Sequence, residues 1–263
     1  MSARAERFDL ALAAAILADA WKSGSLLSEL PRDVRPRTMS QGYDIQDVFV
    51  AQLGDATVGW KLGVGSAVQK RQSGAGRSIA GRLLTSRVYC NDDIVPLPNA
   101  APVTVEFEVA YVLGLDVQPD EKAVAGLDVV SEVRAAFELV LSRFVDRRAV
   151  GWPSFAADDA AFQALVVGSP LDYSRISELV VELDGQEAAR SVFGEDATDP
   201  EAALCDLISL ARERKMVLPR GSIISTGTVS KPFNIASPAA FVWARFLETE
   251  LGFQTQVHGR TGE

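Results

Sequence analysis

Two glutamates separated by one residue, Glu106 and Glu108, have the spacing in this sequence that most directly indicates chemistry. They lie in the run VTVEFEVAYVL (103–113), whose alternation predicts a β-strand with both carboxylates on one face. The strand rise places their Cα atoms about 6–7 Å apart. Two carboxylates this close stay ionised together when a cation lies between them, and their oxygens suit Mg²⁺ or Mn²⁺. Alternatively, they form the solvated face of an edge strand.

A third acidic candidate is Glu138, in the otherwise apolar run AAFELVL (135–141). Burying a carboxylate among such neighbours is unfavourable unless the charge has a partner. A shared metal ion would be one such partner, which makes Glu138 the candidate third ligand. An ion pair with Arg134 or Arg143 is the alternative.

Lys61 stands between apolar residues and glycines in VGWKLG (58–63), which predicts a lysine that is half-buried or directed into a cleft. There it could hold an anionic enolate or transfer a proton, although an outward, solvated lysine is also possible. Residues 225–228 (STGT) follow an apolar strand start and offer hydroxyls and amides that could bind a carboxylate. An ordinary Ser/Thr-rich strand is the alternative there.

The elements that must position these residues change in type along the chain. Helical spacing over 5–30 and 40–53 is followed, beyond Gly54, by short β-rich runs. This order predicts an α+β fold rather than a doubly wound parallel sheet. We expect an N-terminal helical region (1–55) and a β-rich metal-binding catalytic domain (56–263).

Other elements are predicted from local signals. The polar, glycine-containing stretch 66–81 is expected to be a mobile loop, and 128–136 is expected to be helical, with 137–144 either continuing that helix or starting a strand. Further strands are predicted at 57–65 and 221–229, and a hairpin turn is predicted at 184–185. A helix is predicted over 200–214, with Asp199 as its N-cap.

Composition narrows the function class. A net charge of −9 argues against nucleic acid or an anionic membrane as partner, and a small acidic substrate would need a local positive site. The two cysteines are far apart and suggest a reducing compartment, so the cytoplasm is expected. No apolar run reaches the length of a membrane span. The single histidine, His258, limits any Ser-His-Asp chemistry to that residue.

An ordered set of short stretches over roughly residues 40–230 resembles the 2-oxopent-4-enoate hydratases and 4-oxalocrotonate decarboxylases of the fumarylacetoacetate hydrolase superfamily. The matching stretches are GYDIQ (42–46), GWKLGV (59–64), GRLLTSRVYCNDDIVP (81–96), VEFEVAYVL (105–113), FELVLSRF (137–144), ADDAAFQALVVGSP (157–170) and GSIISTGT (221–228).

The resemblance implies a β-rich roll of the superfamily's C-terminal-domain type after an N-terminal helical region, with a hairpin over 241–257. It implies a homo-oligomer, with a partner enzyme of the same pathway as a further possibility. The implied roles are metal ligation of Mg²⁺ or Mn²⁺ by Glu106, Glu108 and Glu138, catalysis by Lys61, and substrate binding by Arg82, Thr226 and Gly227.

The implied activity is metal-dependent hydration of a 2-hydroxy-2,4-dienoate to a 4-hydroxy-2-oxo acid in the catabolism of aromatic or related compounds. Two alternatives stay open: decarboxylation of a 2-oxo diacid of the 4-oxalocrotonate type, and a catalytically weakened homologue that binds a 2-oxo acid. The sequence departs from the hydratases at Ile79, where they carry an acid, and at Arg82, Phe162, Gln163 and Thr198. The missing acid shifts the expectation toward decarboxylation or an unusual substrate.

Overall fold

A computed structural model describes residues 8–98, 102–120, 126–172, 179–236, 239–246 and 249–257; His258 lies outside them. The described residues fall into two compact units, one within 1–55 and 142–161 and the other within 56–141 and 162–263. In the described part of the chain, no helix is both apolar enough and long enough to cross a membrane.

Five α-helices and thirteen strands form the two units within the described residues. The helices are α1 (Leu10–Ser23), α2 (Met39–Leu53), α3 (Ala67–Ser73), α4 (Trp152–Ala157) and α5 (Pro200–Arg214) among the described residues. The strands are β1 (Thr57–Gly63), β2 (Ile79–Leu84), β3 (Val88–Cys90), β4 (Ile94–Leu97), β5 (Val103–Leu113), β6 (Val130–Val140), β7 (Phe162–Pro170), β8 (Val180–Leu183), β9 (Gln186–Arg190), β10 (Ile223–Thr228), β11 (Phe233–Ile235), β12 (Phe241–Phe246) and β13 (Thr249–Val257).

The first unit is built from α1, α2 and α4. The carboxylate of Asp9 caps α1 by accepting a hydrogen bond from Leu12 N, and the helix ends at Gly24, whose left-handed backbone suits glycine. Because α1 begins after Asp9 and ends at Gly24, it is shorter than the helical pattern predicted over 5–30. Leu17 and Phe49 are fully buried and belong to the core of this unit.

The second unit contains two sheets. The larger has the order β2-β1-β10-β5-β6-β7-β3, with β11 also pairing with β5, and the smaller has the order β4-β13-β12-β8-β9. Most pairs are antiparallel, whereas β1 with β10, β3 with β7 and β4 with β13 are parallel. Strand β5 therefore has a neighbour on each side, so the alternative of an edge strand for Glu106 and Glu108 does not apply.

An aromatic cluster forms the core of this unit. Phe107 and Phe137 of the larger sheet meet edge to face with centroids 5.2 Å apart, and each also contacts a phenylalanine of the smaller sheet, Phe246 and Phe253 respectively. Such edge-to-face pairs are favoured geometries for buried rings. Because Phe107 lies between Glu106 and Glu108 on β5, alternation turns both glutamates to the opposite face of the larger sheet.

Two element predictions are wrong. Residues 128–136, expected to be helical, begin with a short 3-10 turn and continue as β6, which pairs with β5 on one side and β7 on the other. Long-range pairing on both edges overrides the local helical signal. The expected loop at 66–81 contains α3, started by a reciprocal capping box between Ser66 and Gln69, and the beginning of β2.

Several local predictions are confirmed. The hairpin turn at Asp184-Gly185 joins β8 to β9, with both residues in the left-handed conformation that such turns require. Asp199 caps α5 by accepting hydrogen bonds from two backbone amides. The confirmed elements are α2, β1, β5, β10, α5, the β8–β9 hairpin and the β12–β13 hairpin at 241–257.

Candidate metal centre

The three predicted acidic ligands converge on one face of the larger sheet. Glu106 of β5 is paired directly with Glu138 of β6, and Glu108 is two residues further along β5. One carboxylate oxygen from each lies within 4.8 Å of the others. Glu108 and Glu138 are completely buried, whereas Glu106 is partly exposed. The cluster is therefore reachable from solvent on the Glu106 side.

Lys61 joins this cluster through strand register. It pairs in parallel with Ser225 of β10, which in turn pairs with Ala110 of β5, so Lys61 shares the face of the glutamates. Its Nζ lies 2.8 Å from Oε1 of Glu138, and the exposed fractions of the two side chains are 3% and 0%.

The two arginines considered as alternative partners of Glu138 are engaged elsewhere. Arg134 pairs with Glu132 at 2.5 Å. Arg143 forms a buried ion pair with Asp158. The partner of Glu138 is therefore Lys61.

Glu108 is held asymmetrically. Its Oε2 accepts a hydrogen bond from Ser225 Oγ at 2.5 Å and another from the backbone amide of Gly227 at 3.0 Å. Its Oε1 is buried and meets no hydrogen-bond donor among the described residues. A buried carboxylate oxygen without a donor is unfavourable unless a ligand satisfies it, and a cation would do so.

The electrostatics indicate the same need for positive charge. Burial raises the pKa of Glu108 well above its usual range, and the charges of Glu138 and Glu106 raise it further, while Ser225 and Lys61 act in the opposite direction. Burial likewise raises the pKa of Glu138 to about 7 despite the attraction of Lys61. A divalent cation bound between these oxygens would offset the repulsion. The donor set, all carboxylate oxygens, fits a hard ion such as Mg²⁺ or Mn²⁺.

Known proteins are similar to this chain in sequence and in fold. A 4-oxalocrotonate decarboxylase from Pseudomonas sp is 27% identical over 200 residues, which cover 73% of this chain and 77% of the relative. A 2-keto-4-pentenoate hydratase from Paraburkholderia xenovorans is 32% identical over 164 residues, 60% of either chain. The match to this hydratase thus spans less than two thirds of its length. No protein-family model matches.

The chain is similar in sequence to these decarboxylases and hydratases. The predicted resemblance is thereby confirmed.

Solved structures extend the likeness to the fold. The 4-oxalocrotonate decarboxylase from Pseudomonas putida G7, complexed with magnesium and adipate, superposes with a TM-score of 0.82 at 18% identity, covering 94% of this chain and 97% of its own. A fumarylpyruvate hydrolase from Pseudomonas aeruginosa, in complex with Mn²⁺ and pyruvate, has a TM-score of 0.53 at 12% identity, covering 76% and 89%. The fold is therefore a mixed α/β fold with a curled β-sheet, and it matches solved structures of the fumarylacetoacetate hydrolase superfamily.

Only some of the predicted substrate-binding residues contact the acidic cluster. Gly227 does, through its amide, whereas the Thr226 hydroxyl donates to the backbone oxygen of Val109 at 2.8 Å. Arg82 follows Gly81, the residue paired with Lys61, so alternation turns its side chain to the opposite face of the sheet. There its guanidinium stacks on the ring of Trp60, 5.1 Å from the centroid.

Ile79 lies where the resemblance to the hydratases implies an acid. It is paired with Gly63 at the start of β2 and is 2% exposed. Alternation from Gly81 places its side chain on the same face as Lys61. The face of the sheet that carries Lys61 therefore has an aliphatic side chain at position 79.

Ser225 belongs to the run STGT but is not among the residues predicted to bind metal or substrate. Its side chain contacts Glu108, a candidate ligand. The signal that points to Ser225 is its place on the strand next to β5, on the face that carries the two glutamates.

Proposed function

We propose that this protein is a divalent-metal-dependent lyase that acts on a small, enolisable 2-oxo acid. The observation that carries the proposal is the convergence of Glu106, Glu108 and Glu138 within 4.8 Å on one sheet face. The relatives named as decarboxylases and hydratases support the lyase class.

The metal ligands would be those three glutamates, and Mg²⁺ or Mn²⁺ is the expected cofactor. When bound, the ion would act as a Lewis acid toward negative charge that develops on the 2-oxo oxygen of the substrate.

The chain's own residues supply the remaining functions. Lys61 is positioned beside the cluster by Glu138, where its ammonium would hold the substrate carboxylate or deliver a proton to an enolate. Thr226, Gly227 and Arg82 remain proposed substrate-binding residues, and of these Gly227 has the direct support of its contact with Glu108.

Hydration of a 2-hydroxy-2,4-dienoate to a 4-hydroxy-2-oxo acid is the first candidate reaction. Decarboxylation of a 2-oxo diacid of the 4-oxalocrotonate type is the second, and Ile79 is the observation that favours it. Addition of water requires groups that position and deprotonate the water molecule, whereas loss of CO₂ requires an electron sink and a later proton. An aliphatic side chain on the Lys61 face cannot position or deprotonate water. Decarboxylation does not require such a group at this position.

Assays of the purified protein with each substrate class, with added Mg²⁺, Mn²⁺ or EDTA, test this proposal. We expect metal-dependent turnover of a 2-hydroxy-2,4-dienoate or of 4-oxalocrotonate, followed by ultraviolet absorbance with product identification by NMR. Metal binding without turnover of either compound, but with binding of pyruvate or oxalate, would instead favour the catalytically weakened homologue.

We also propose the finer organisation expected from the sequence: a helical region over 1–55, a β-rich catalytic roll over 56–263 and a homo-oligomer. A cytoplasmic enzyme without nucleic-acid or membrane partners is consistent with the net charge of −9. Light scattering coupled to size-exclusion chromatography would test the oligomer. Co-elution of a second enzyme of the same pathway, mixed with this protein, would identify it as a partner.

A further inference from the structure

Strand β10 contains an irregularity beside Glu108. Ser225 pairs with Ala110 and Thr228 pairs with Glu108, so three steps along β10 correspond to two steps along β5. One extra residue in a strand is a β-bulge, which redirects the local backbone groups. Gly227, with φ at +103°, lies within it, and its amide points to the Glu108 carboxylate.

The bulge and the Ser225 hydroxyl thus act on the same oxygen. Both donate to Oε2 of Glu108, and Oε1 is left for another ligand. Two donors on one oxygen restrict rotation of the carboxyl group and favour its ionised form. The result is a carboxylate prepared to bind a cation through one defined oxygen.

Ser225 is buried, and its hydroxyl is engaged by a candidate metal ligand. Its exposed fraction is 0%, and its hydroxyl is 2.5 Å from Glu108. Groups that hydrogen-bond to metal ligands commonly change metal affinity by about 10- to 100-fold when they are removed.

We propose that Ser225 is a positioning residue that holds Glu108 as a ligand through Oε1 alone. The inference rests on the proposed metal-dependent function, and it assigns a role to a side chain that does not itself contact the ion or the substrate.

Titration of the metal-free protein with Mn²⁺ alone, by isothermal calorimetry, tests the proposal. Ser225→Ala should weaken Mn²⁺ binding about 10-fold or more, and Ser225→Thr, which retains a hydroxyl, should recover most of the affinity. The matched control is Ser230→Ala: Ser230 is equally buried and accepts a hydrogen bond from the amide of Phe107 on β5. We expect this control to bind Mn²⁺ within about threefold of the wild type, a change well below the range for a ligand-positioning group.

Melting temperatures measured in EDTA separate folding from metal binding. If Ser225→Ala does not fold, Ser225→Cys provides the test, because a thiol has a similar shape but is a weak donor. Unchanged Mn²⁺ affinity in a folded Ser225→Ala or Ser225→Cys protein would overturn the positioning role while leaving the metal centre intact. Failure of the wild-type protein to bind Mn²⁺ would overturn the proposed function itself.

Discussion

Lys61 and Glu138 form an ion pair, with Nζ 2.8 Å from Oε1, in which the lysine is 3% and the glutamate 0% exposed. Taking two charges out of water is unfavourable, and breaking such a pair by removing one partner leaves the other charge buried and unbalanced. A pair at this depth, beside two further carboxylates, is better explained by chemistry than by stability alone.

Above about pH 8, where Glu138 is ionised in the wild type, replacing Lys61 with methionine should therefore destabilise the metal-free protein by about 3–5 kcal/mol, since Glu138 would lose its counter-charge. Urea unfolding in EDTA measures this effect. The double variant Lys61→Met/Glu138→Gln, in which neither charge remains, should recover much of the lost stability. Equal stability of the single variant and the wild type would contradict the ion pair.

Turnover should respond to Lys61 more than metal affinity does. We expect Lys61→Ala to lower kcat by about 10²-fold or more, the contribution typical of a group that transfers a proton. Its Mn²⁺ affinity, measured by calorimetry, should change less than kcat does, because the lysine contacts the ligand Glu138 but is not a ligand itself. Unaltered kinetics in the folded variant would assign Lys61 a purely structural role.

Glu106→Gln should abolish metal-dependent activity and leave the fold intact. Glu106 is partly exposed, so the neutral amide can be accommodated, but it is a poorer ligand for a hard cation. Circular dichroism and Mn²⁺ calorimetry would separate the two effects. Glu182→Gln, a partly exposed glutamate on β8 of the smaller sheet, is the matched control and should keep full activity. Retained Mn²⁺ binding by Glu106→Gln would exclude this residue from the centre.

Stability without metal should depend on pH through Glu138. Its pKa rises from 4.5 to about 7 on folding, mainly because of burial. Between these values the folded state binds more protons than the unfolded state, so this group stabilises the protein at low pH and the stabilisation is lost as the pH rises toward 7.

The readout is the difference between the wild type and Glu138→Gln in EDTA, which reports this carboxyl together with its effect on Glu108, whose pKa it raises. The melting temperature of the wild type should fall relative to that of the variant between pH 5 and pH 7.5. Protons should also compete with Mn²⁺, so that the wild type binds the ion more weakly below pH 7. A difference that does not vary with pH would show that Glu138 does not titrate in this range.

The buried pair of Arg143 and Asp158 in the first unit should be structural. The Arg143 guanidinium also stacks on Trp21, with its carbon 4.7 Å from the ring centroid. Arg143→Met should therefore cost about 3–5 kcal/mol, measured by urea unfolding, because Asp158 is left charged and buried. Activity per folded molecule should remain; its loss in folded protein would instead connect this pair to catalysis.

Local pattern was sufficient for part of the fold and part of the site. Alternation over 103–113 predicted β5 and placed Glu106 and Glu108 on one face, because a strand turns successive side chains to opposite sides. Asp199 before Pro200 predicted the start of α5, and Asp184-Gly185 predicted a hairpin, because caps and tight turns depend on a few adjacent residues.

What local pattern could not supply was the pairing between distant strands. The segment 128–136 has a helical composition, and only its two flanking strands make it β6. The register that places Glu138 opposite Glu106, the parallel pairing that brings Lys61 next to Ser225, and the bulge at Gly227 all result from contacts between residues far apart in the chain. A one-residue shift in any of these pairings would turn a side chain to the other face of the sheet. The residue types of the centre can therefore be recognised in the sequence, whereas their convergence follows from the order and register of the strands.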